Sequence, residues 1–418
     1  MAKFIIKGGN KLNGAWRVQG MKNAATPILA GTLLTREECV LRNVPRISDL
    51  EHMLEILRSL GAETKWLDEH TLSIRTKEIK TTAMDYLLTK RMRSSVLFLG
   101  PMLAIKGQVT MPEPGGCNIG NRPLGAHFEA FKALGAKIEF TDKYYTISGN
   151  NLQGATINLL EKSVTATENI MMAAVAIPGK TIITNAAAEP HVAALGRFLR
   201  ALGANISGEG TDIITIIGVD KFMGADFAII PDQLEVGTIA VLGAVAGGEI
   251  HISPVVGEDM KVVAGKLKEA GVDLTEQGDS WIVRGKKDLQ AFNIATAPYP
   301  GFPTDLQAVF GVLATQAQGK SHIQDTMFEN RLGYINELGS MGANGKIIDN
   351  HNADIYGPAA LSGQSIQSLD LRAGATLVIA GLIAQGETVI NNAEIIDRGY
   401  EAFDERLRQL GADIKRVE

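Results

Sequence analysis

Two kinds of apolar pattern alternate along the chain, and their alternation predicts its architecture. The first is amphipathic. Stretches such as DLEHMLEILRS and GYEAFDERLRQ set apolar residues at helical spacing with charges between them. Six glycine tripeptides end such stretches: Leu60-Gly61-Ala62, Leu134-Gly135-Ala136, Leu202-Gly203-Ala204, Ala270-Gly271-Val272, Met341-Gly342-Ala343 and Leu410-Gly411-Ala412. Their glycines lie 74, 68, 68, 71 and 69 residues apart. Glycine there reads as the left-handed residue that stops a helix. Short alternating runs follow, AKIEF and ADIKRV among them, and predict strands.

The second pattern is apolar almost all round: MKNAATPILAGTLLT, RMRSSVLFLGPMLAIKG, TATENIMMAAVAIPG, QLEVGTIAVLGAVAGG, TDLQAVFGVLATQAQG and LRAGATLVIAGLIAQG. Such helices belong at a domain centre, with the amphipathic ones outside. Gly107, Gly179, Gly247, Gly319 and Gly386 close the last five. A repeat of about 70 residues exceeds any solenoid unit. It predicts a small αβ module with two helices, used six times. The fold class is therefore α/β.

Single cores stop growing at roughly 250–300 residues, so 418 residues predict two domains. Six modules divide three and three, with the break near Ile229-Ile230-Pro231. The opening strands FIIKGG and WRVQG precede the first module, and the last module ends without room for further strands. The amino terminus is expected to complete the last sheet. One domain is then 21–230, the other the discontinuous 1–20 plus 231–418, with the active site in the cleft between them.

MAKFIIKGG carries too short an apolar run for a signal peptide, and the longest apolar runs are about half a membrane span. Two cysteines, Cys39 and Cys117, make no disulfide framework. A cytoplasmic, reducing location is expected, with no membrane partner. A net charge of −5 argues against nucleic acid. Any anionic ligand must meet locally concentrated cations. Lys22, Arg93 and Arg372 fall near predicted starts of buried helices, and Arg122, Arg331 and Arg398 near starts of outer ones. Free N–H groups and the helix dipole favour anions there, whereas a basic side chain alone does not suit that end. Each cation singly reads as a solvated or locally paired side chain; six on corresponding ends suggest a shared anion site.

The sharpest local feature is PEPGGCNIGNRP, residues 112–123. Cys117 sits among three glycines with Arg122 nearby, a setting that can lower a thiol pKa. Acid, nucleophile and idle loop cysteine all remain open on these residues alone. With GGCNIGNRPLGAH, Lys22-Asn23, FPTDLQ, FENR, DLRA and IDRGYE in view, the chain closely resembles the enolpyruvyl transferases, specifically the UDP-N-acetylglucosamine 1-carboxyvinyltransferases of peptidoglycan synthesis. The likeness spans the whole chain. It implies a two-domain inside-out α/β barrel of three modules per domain. It also implies transfer of the enolpyruvyl group of phosphoenolpyruvate to the 3-hydroxyl of UDP-N-acetylglucosamine with release of phosphate. Neither metal nor organic cofactor is implied.

By the same resemblance Cys117 is the acid that protonates the phosphoenolpyruvate methylene. Asp305 is the base at the sugar hydroxyl, with a helix cap before LQAVF as its other reading. Lys22, Arg122 and Arg398 hold phosphate and carboxylate, supported by Arg331 and Arg372. The nucleotide-sugar set is Asn23, Arg93, Arg122, Pro123, Leu124, Gly125, Ala126, Ser163, Val164, Asp305 and Met327. Two positions depart from the family pattern: Gly125, where an acid is usual, and Thr165, commonly glycine. His127 reads as a structural helix histidine. Gly179-Lys180-Thr181 and Gly319-Lys320-Ser321 imitate a phosphate loop but lack its first glycine, Ala174 and Ala314 standing there. Two other readings compete. One is an enolpyruvyl transferase with a different acceptor, the shikimate-phosphate enzyme lacking the cysteine loop. The other is a non-catalytic nucleotide-sugar sensor.

Overall fold

The structure is a computed structural model and describes residues 2–115, 120 and 122–418. The chain forms two compact units, one holding Met1–Gln19 and Pro231–Glu418, the other Gly20–Cys117 and Arg122–Ile230. Each unit is α/β. The strands make six separate small sheets, five of four strands and one of three, none closing on itself among the described residues.

In the first unit the helices Gln233–Ala246, Gln307–Gln316 and Leu371–Ile383 pack against one another. Every residue from Leu371 to Leu382 is buried. In the second unit Lys22–Gly31, Leu99–Lys106 and Val164–Ala174 play that part, with the 3-10 turn Arg93–Phe98 leading into Leu99–Lys106. The amphipathic helices, such as Ser48–Leu60 and Pro190–Ala201, bury only one face. An all-apolar helix can be satisfied only when its whole circumference meets other elements, which is why the two patterns take these two places.

All six tripeptide glycines adopt positive φ, between 75° and 109°. Each closes the same pair of bonds. At the first, Gly61 N–H donates to the Arg58 carbonyl at 3.0 Å and Ala62 N–H to that of Leu57 at 2.9 Å. That is the Schellman arrangement, and the small residue after glycine completes it. The chain then turns directly into a strand, so a helix-stop signal also sets strand position. Gly179 and Gly319 are turns of the same hand before the strands Lys180–Thr184 and Gly319–Gln324. The phosphate-loop imitation is thus a strand start.

The amino terminus serves two sheets of the first unit. Lys3–Lys7 lies between Glu387–Asn391 and Asp413–Val417, antiparallel to both. Gly14–Arg17 pairs in parallel with Glu249–Ser253. The chain leaves and re-enters this unit beside the start of the Gln233–Ala246 helix. There Asp232 N–H donates to the Gln19 carbonyl at 2.9 Å. Glu235 accepts from the Trp16 indole N–H at 2.7 Å and the Gln19 N–H at 2.9 Å.

Candidate active site

The first unit gathers two of the expected residues around a third, the carboxylate of Asp305. Asp305 lies in the turn Thr304–Leu306, ahead of the Gln307–Gln316 helix. Leu306, which has no polar side chain, holds the cap position of that helix. Arg331 Nη1 donates to Asp305 Oδ1 at 2.8 Å, and Arg372 Nε donates to Oδ2 at 3.3 Å. Both arginines are buried, at 6% and 5% exposure, whereas the Asp305 side chain is 27% exposed. Its carboxylate thus lies against two guanidinium groups and stays part-exposed.

Further residues hold these arginines. Thr304 Oγ1 accepts from Arg331 Nη1 at 2.9 Å and donates to Asp325 at 2.7 Å. Asp325 is fully buried and also accepts the Met327 and Phe328 N–H groups at 2.9 and 3.1 Å, which shapes the loop carrying exposed Met327. Burial alone would lower the Arg331 pKa; the carboxylates of Asp305, Asp370 and Asp325 outweigh it and raise it. Arg372 behaves alike: burial opposes its charge, and Tyr400, Asp305 and Asp232 raise its pKa regardless. Its Nη1 has no hydrogen-bond partner among the described residues. Burial pushes Asp232 up to about 6, against the lowering field of Arg372.

Arg372 is the second residue of its helix, a poor place for a cation. Asp370 corrects that by capping, accepting the Arg372 and Ala373 N–H groups at 2.8 and 3.0 Å. Arg398 ends the short 3-10 turn Ala393–Arg398, which packs on the same helix at Gly374. A Cβ at Gly374 would stand 2.8 Å from Ile396 Cγ1, so only glycine admits the turn this close.

In the second unit the cations are arranged differently. Lys22 opens the Lys22–Gly31 helix, with Asn23 half-buried beside it, and pairs with Asp49 at 2.5 Å. Arg93 opens its 3-10 turn and donates through Nη2 to the Arg122 carbonyl oxygen. Burial lowers the Arg93 pKa and the positive charge of Arg122 lowers it further. Past exposed Pro123 and buried Leu124, Gly125 begins the Gly125–Ala133 helix with Ala126 buried. A Cβ at Gly125 would meet nothing within 4 Å. Ser163 caps the Val164–Ala174 helix, its Oγ accepting the Ala166 N–H at 3.4 Å. His127 is buried and joined by Nε2 to Thr165 Oγ1 at 3.0 Å. Burial, then the Arg93 charge, drives its pKa to about 3, so it stays neutral. The two helix starts that were expected at the nucleotide are tied together by this bond. Cys117 lies outside the described residues.

Sequence reasoning missed Asp49, Asp232, Asp325, Asp370 and Tyr400. Asp232 and Asp370 carry a legible signal, an acid directly before a helix. Asp325 and Tyr400 carry none, because their partners are made by tertiary packing.

The family description EPSP synthase (3-phosphoshikimate 1-carboxyvinyltransferase) matches residues 6–407. The chain is 43% identical over 417 residues to the UDP-N-acetylglucosamine 1-carboxyvinyltransferase of Halothermothrix orenii, covering all of both. It is 45% identical over 420 residues to that of Sorangium cellulosum, covering all of this chain and 99% of the relative. The chain belongs to the carboxyvinyltransferase family. Among solved structures it resembles the enolpyruvyl transferase NikO from Streptomyces tendae, with a TM-score of 0.91 and 24% identity over all of this chain and 99% of the other. EPSP synthase from Acinetobacter baumannii aligns over all of both chains with a TM-score of 0.79 and 20% identity. These two likenesses carry the α/β two-domain fold alone.

Proposed function

We propose that this carboxyvinyltransferase moves the enolpyruvyl group of phosphoenolpyruvate to the 3-hydroxyl of UDP-N-acetylglucosamine and releases phosphate, the committing step toward peptidoglycan precursors. The observation that carries this reading is the identity of 43–45% along the whole chain to relatives named for that activity. Both acceptor and donor are anionic, and the compartment proposed for the reaction is the cytoplasm. No helix among the described residues is long and apolar enough to cross a membrane.

The reaction adds a proton to the methylene carbon of phosphoenolpyruvate while the sugar oxygen bonds to the neighbouring carbon. The tetrahedral adduct then loses phosphate and a proton from what is now its methyl group, restoring the vinyl group. Cys117 supplies the first proton, and Asp305 accepts the hydroxyl proton. Two arginines hold Asp305 in one orientation, which supports a base that must meet its proton at hydrogen-bond distance. Lys22, Arg122 and Arg398 bind phosphate and carboxylate, with Arg331 and Arg372 behind them. The spare Nη1 donor of buried Arg372 suits an anionic oxygen. Asn23, Arg93, the segment 122–126, Ser163, Val164 and Met327 bind the nucleotide sugar. Fixed cations stabilise the charge that builds in the adduct.

The test is phosphate release by the purified protein with both substrates. One phosphate per enolpyruvyl sugar is expected. Release with shikimate 3-phosphate in place of the nucleotide sugar would assign a different acceptor. Tight nucleotide-sugar binding without any turnover would make the protein a sensor.

A further inference from the structure

The turn Ala393–Arg398 ends at Arg398 and is held by contacts from outside as well as by its own bonds, Gly399 N–H donating to the Ile396 carbonyl at 3.1 Å. Asn392 before it is left-handed at φ 57°, no side chain caps it, and Ala402 beyond it is left-handed again at φ 43°. Short 3-10 turns have poor internal hydrogen bonds. External contacts come from both ends of the chain. Ala393 N–H donates to the Ala2 carbonyl at 2.9 Å. Asp397, next to Arg398, accepts from Arg416 Nη1 at 2.9 Å and from Nη2 at 2.8 Å. Arg416 stands in the last strand, Asp413–Val417, opposite Phe4 of the first. Its guanidinium lies 5.8 Å from the Phe4 ring centre, and its Nε donates to Glu418 at 3.3 Å.

We propose that Arg416 is a positioning residue for the phosphoenolpyruvate site: its planar fork fixes Asp397 and, through the shared turn, the direction of Arg398. This rests on the reading that Arg398 binds phosphoenolpyruvate. Stability is a weak explanation for the pair. Its side chains are 29% and 30% exposed, and ion pairs that meet solvent add little to folding. A two-bond fork, by contrast, sets orientation as well as distance, which a lysine cannot copy. The molecule contains its own control. Arg42 grips Asp226 in another two-bond fork, through Nε and Nη2 at 2.7 and 2.6 Å, in the other unit, with no proposed ligand residue beside it in the chain.

The experiment compares the full-length protein with Arg416→Gln, Arg416→Lys and Arg42→Gln. For each, KM for both substrates, kcat, melting temperature and amide exchange over 393–399 are measured. Arg416→Gln should raise KM for phosphoenolpyruvate roughly 10-fold, the scale of a sub-ångström misplacement of a binding group. It should speed exchange over 393–399 and leave KM for UDP-N-acetylglucosamine and the melting temperature close to the parent's. Arg416→Lys should fall between, and Arg42→Gln should change none of these. An active parent whose KM for phosphoenolpyruvate does not respond to Arg416→Gln overturns the proposal. So does unchanged exchange over 393–399, or a melting temperature that collapses in both Arg416 variants. If the parent turns over neither substrate yet exchange over 393–399 responds to Arg416 alone, the functional reading fails while the clamp on Arg398 stands.

Discussion

The Asp305 cluster of one unit and the Arg93 cluster of the other both hold charge under burial, but they balance it in opposite ways. Around Asp305, two buried arginines meet carboxylates at every step, and the charges of both are reinforced. Around Arg93, burial and the like charge of Arg122 work against the cation, and neutral His127 lies beside it. The first arrangement balances its charges without a ligand, leaves one Arg372 donor spare, and fixes the Asp305 carboxylate between its two arginines. The second gains from an arriving anion, whose charge offsets the repulsion between the two arginines. A site that must orient a proton acceptor needs the first kind; one that must attract a nucleotide diphosphate needs the second.

The sharpest break in this comparison comes at Asp305 itself. Asn keeps the shape and can still accept one of the two arginine bonds, but it cannot take a proton. Asp305→Asn should lower kcat about 10²–10⁴-fold, the scale of a lost general base. Initial-rate phosphate release measures it. Because the carboxylate also sits between two cations, the melting temperature should fall too. A variant that melts lower yet turns over at the parent rate would leave Asp305 a purely structural counter-charge.

The next largest effect separates the clusters by stability. Arg331→Met takes one guanidinium from Asp305 and one of the two bonds of Thr304 Oγ1, a loss of about 3 kcal/mol for a buried charge network. Arg93→Met removes a cation that burial and Arg122 already disfavour, so folding should change by less than about 1 kcal/mol. Affinity for the nucleotide sugar should drop instead. Urea unfolding of both variants decides it; equal losses would mean that the two clusters are balanced alike.

The reason the sequence foretold the modules better than the charges lies in what each depends on. A helix stop needs only local chemistry, so Gly61 and its five counterparts announce themselves and fold as expected. The buried helices are legible because no exposed face could carry LRAGATLVIAGL. The cations could be marked as a set, but their partners could not. Lys22 finds Asp49 from another helix, and Arg331 and Arg372 meet at Asp305 although 41 residues part them in the chain. Only packing makes those neighbours. The six modules are legible in the same way: the described strands lie in six separate small sheets.

A third test uses pH. The folded pKa of His127, about 3, lies below the ordinary 6.5, so the unfolded chain binds the proton and the native one does not. Its stability contribution is therefore present above pH 6.5 and is lost as pH falls toward 3. By pH 5 the loss is about 2 kcal/mol, from 1.36 kcal/mol per unit. Glu168 in the same unit runs the other way. Burial, then the Glu189 charge, raises its pKa, so its contribution is present below pH 4.5 and lost as pH rises through the folded value. Subtracting a His127→Gln variant from the parent isolates the histidine. The variant's stability should fall less between pH 8 and 5, by about 2 kcal/mol. Parallel pH curves would mean that the folded protein protonates His127 at the same pH as the unfolded chain, and that by pH 5 the second cluster carries one more cation than described.

The smallest effect tests whether the second cluster is held as firmly as the first. Thr165→Val keeps the volume and removes the hydroxyl bonded to His127 Nε2 at 3.0 Å. Its Nδ1 already lacks a partner among the described residues, so the ring would then have none there. The cost should be about 1 kcal/mol of folding stability, the scale of one buried hydrogen bond between neutral groups. The bond joins the first turns of the Gly125–Ala133 and Val164–Ala174 helices, so KM for the nucleotide sugar should rise a few-fold while KM for phosphoenolpyruvate holds. Thr165→Ser, which keeps the hydroxyl, should restore both values. If Ser and Val behave alike, the hydroxyl has no part in joining these helices, and the nucleotide-binding segments are set by their own backbone.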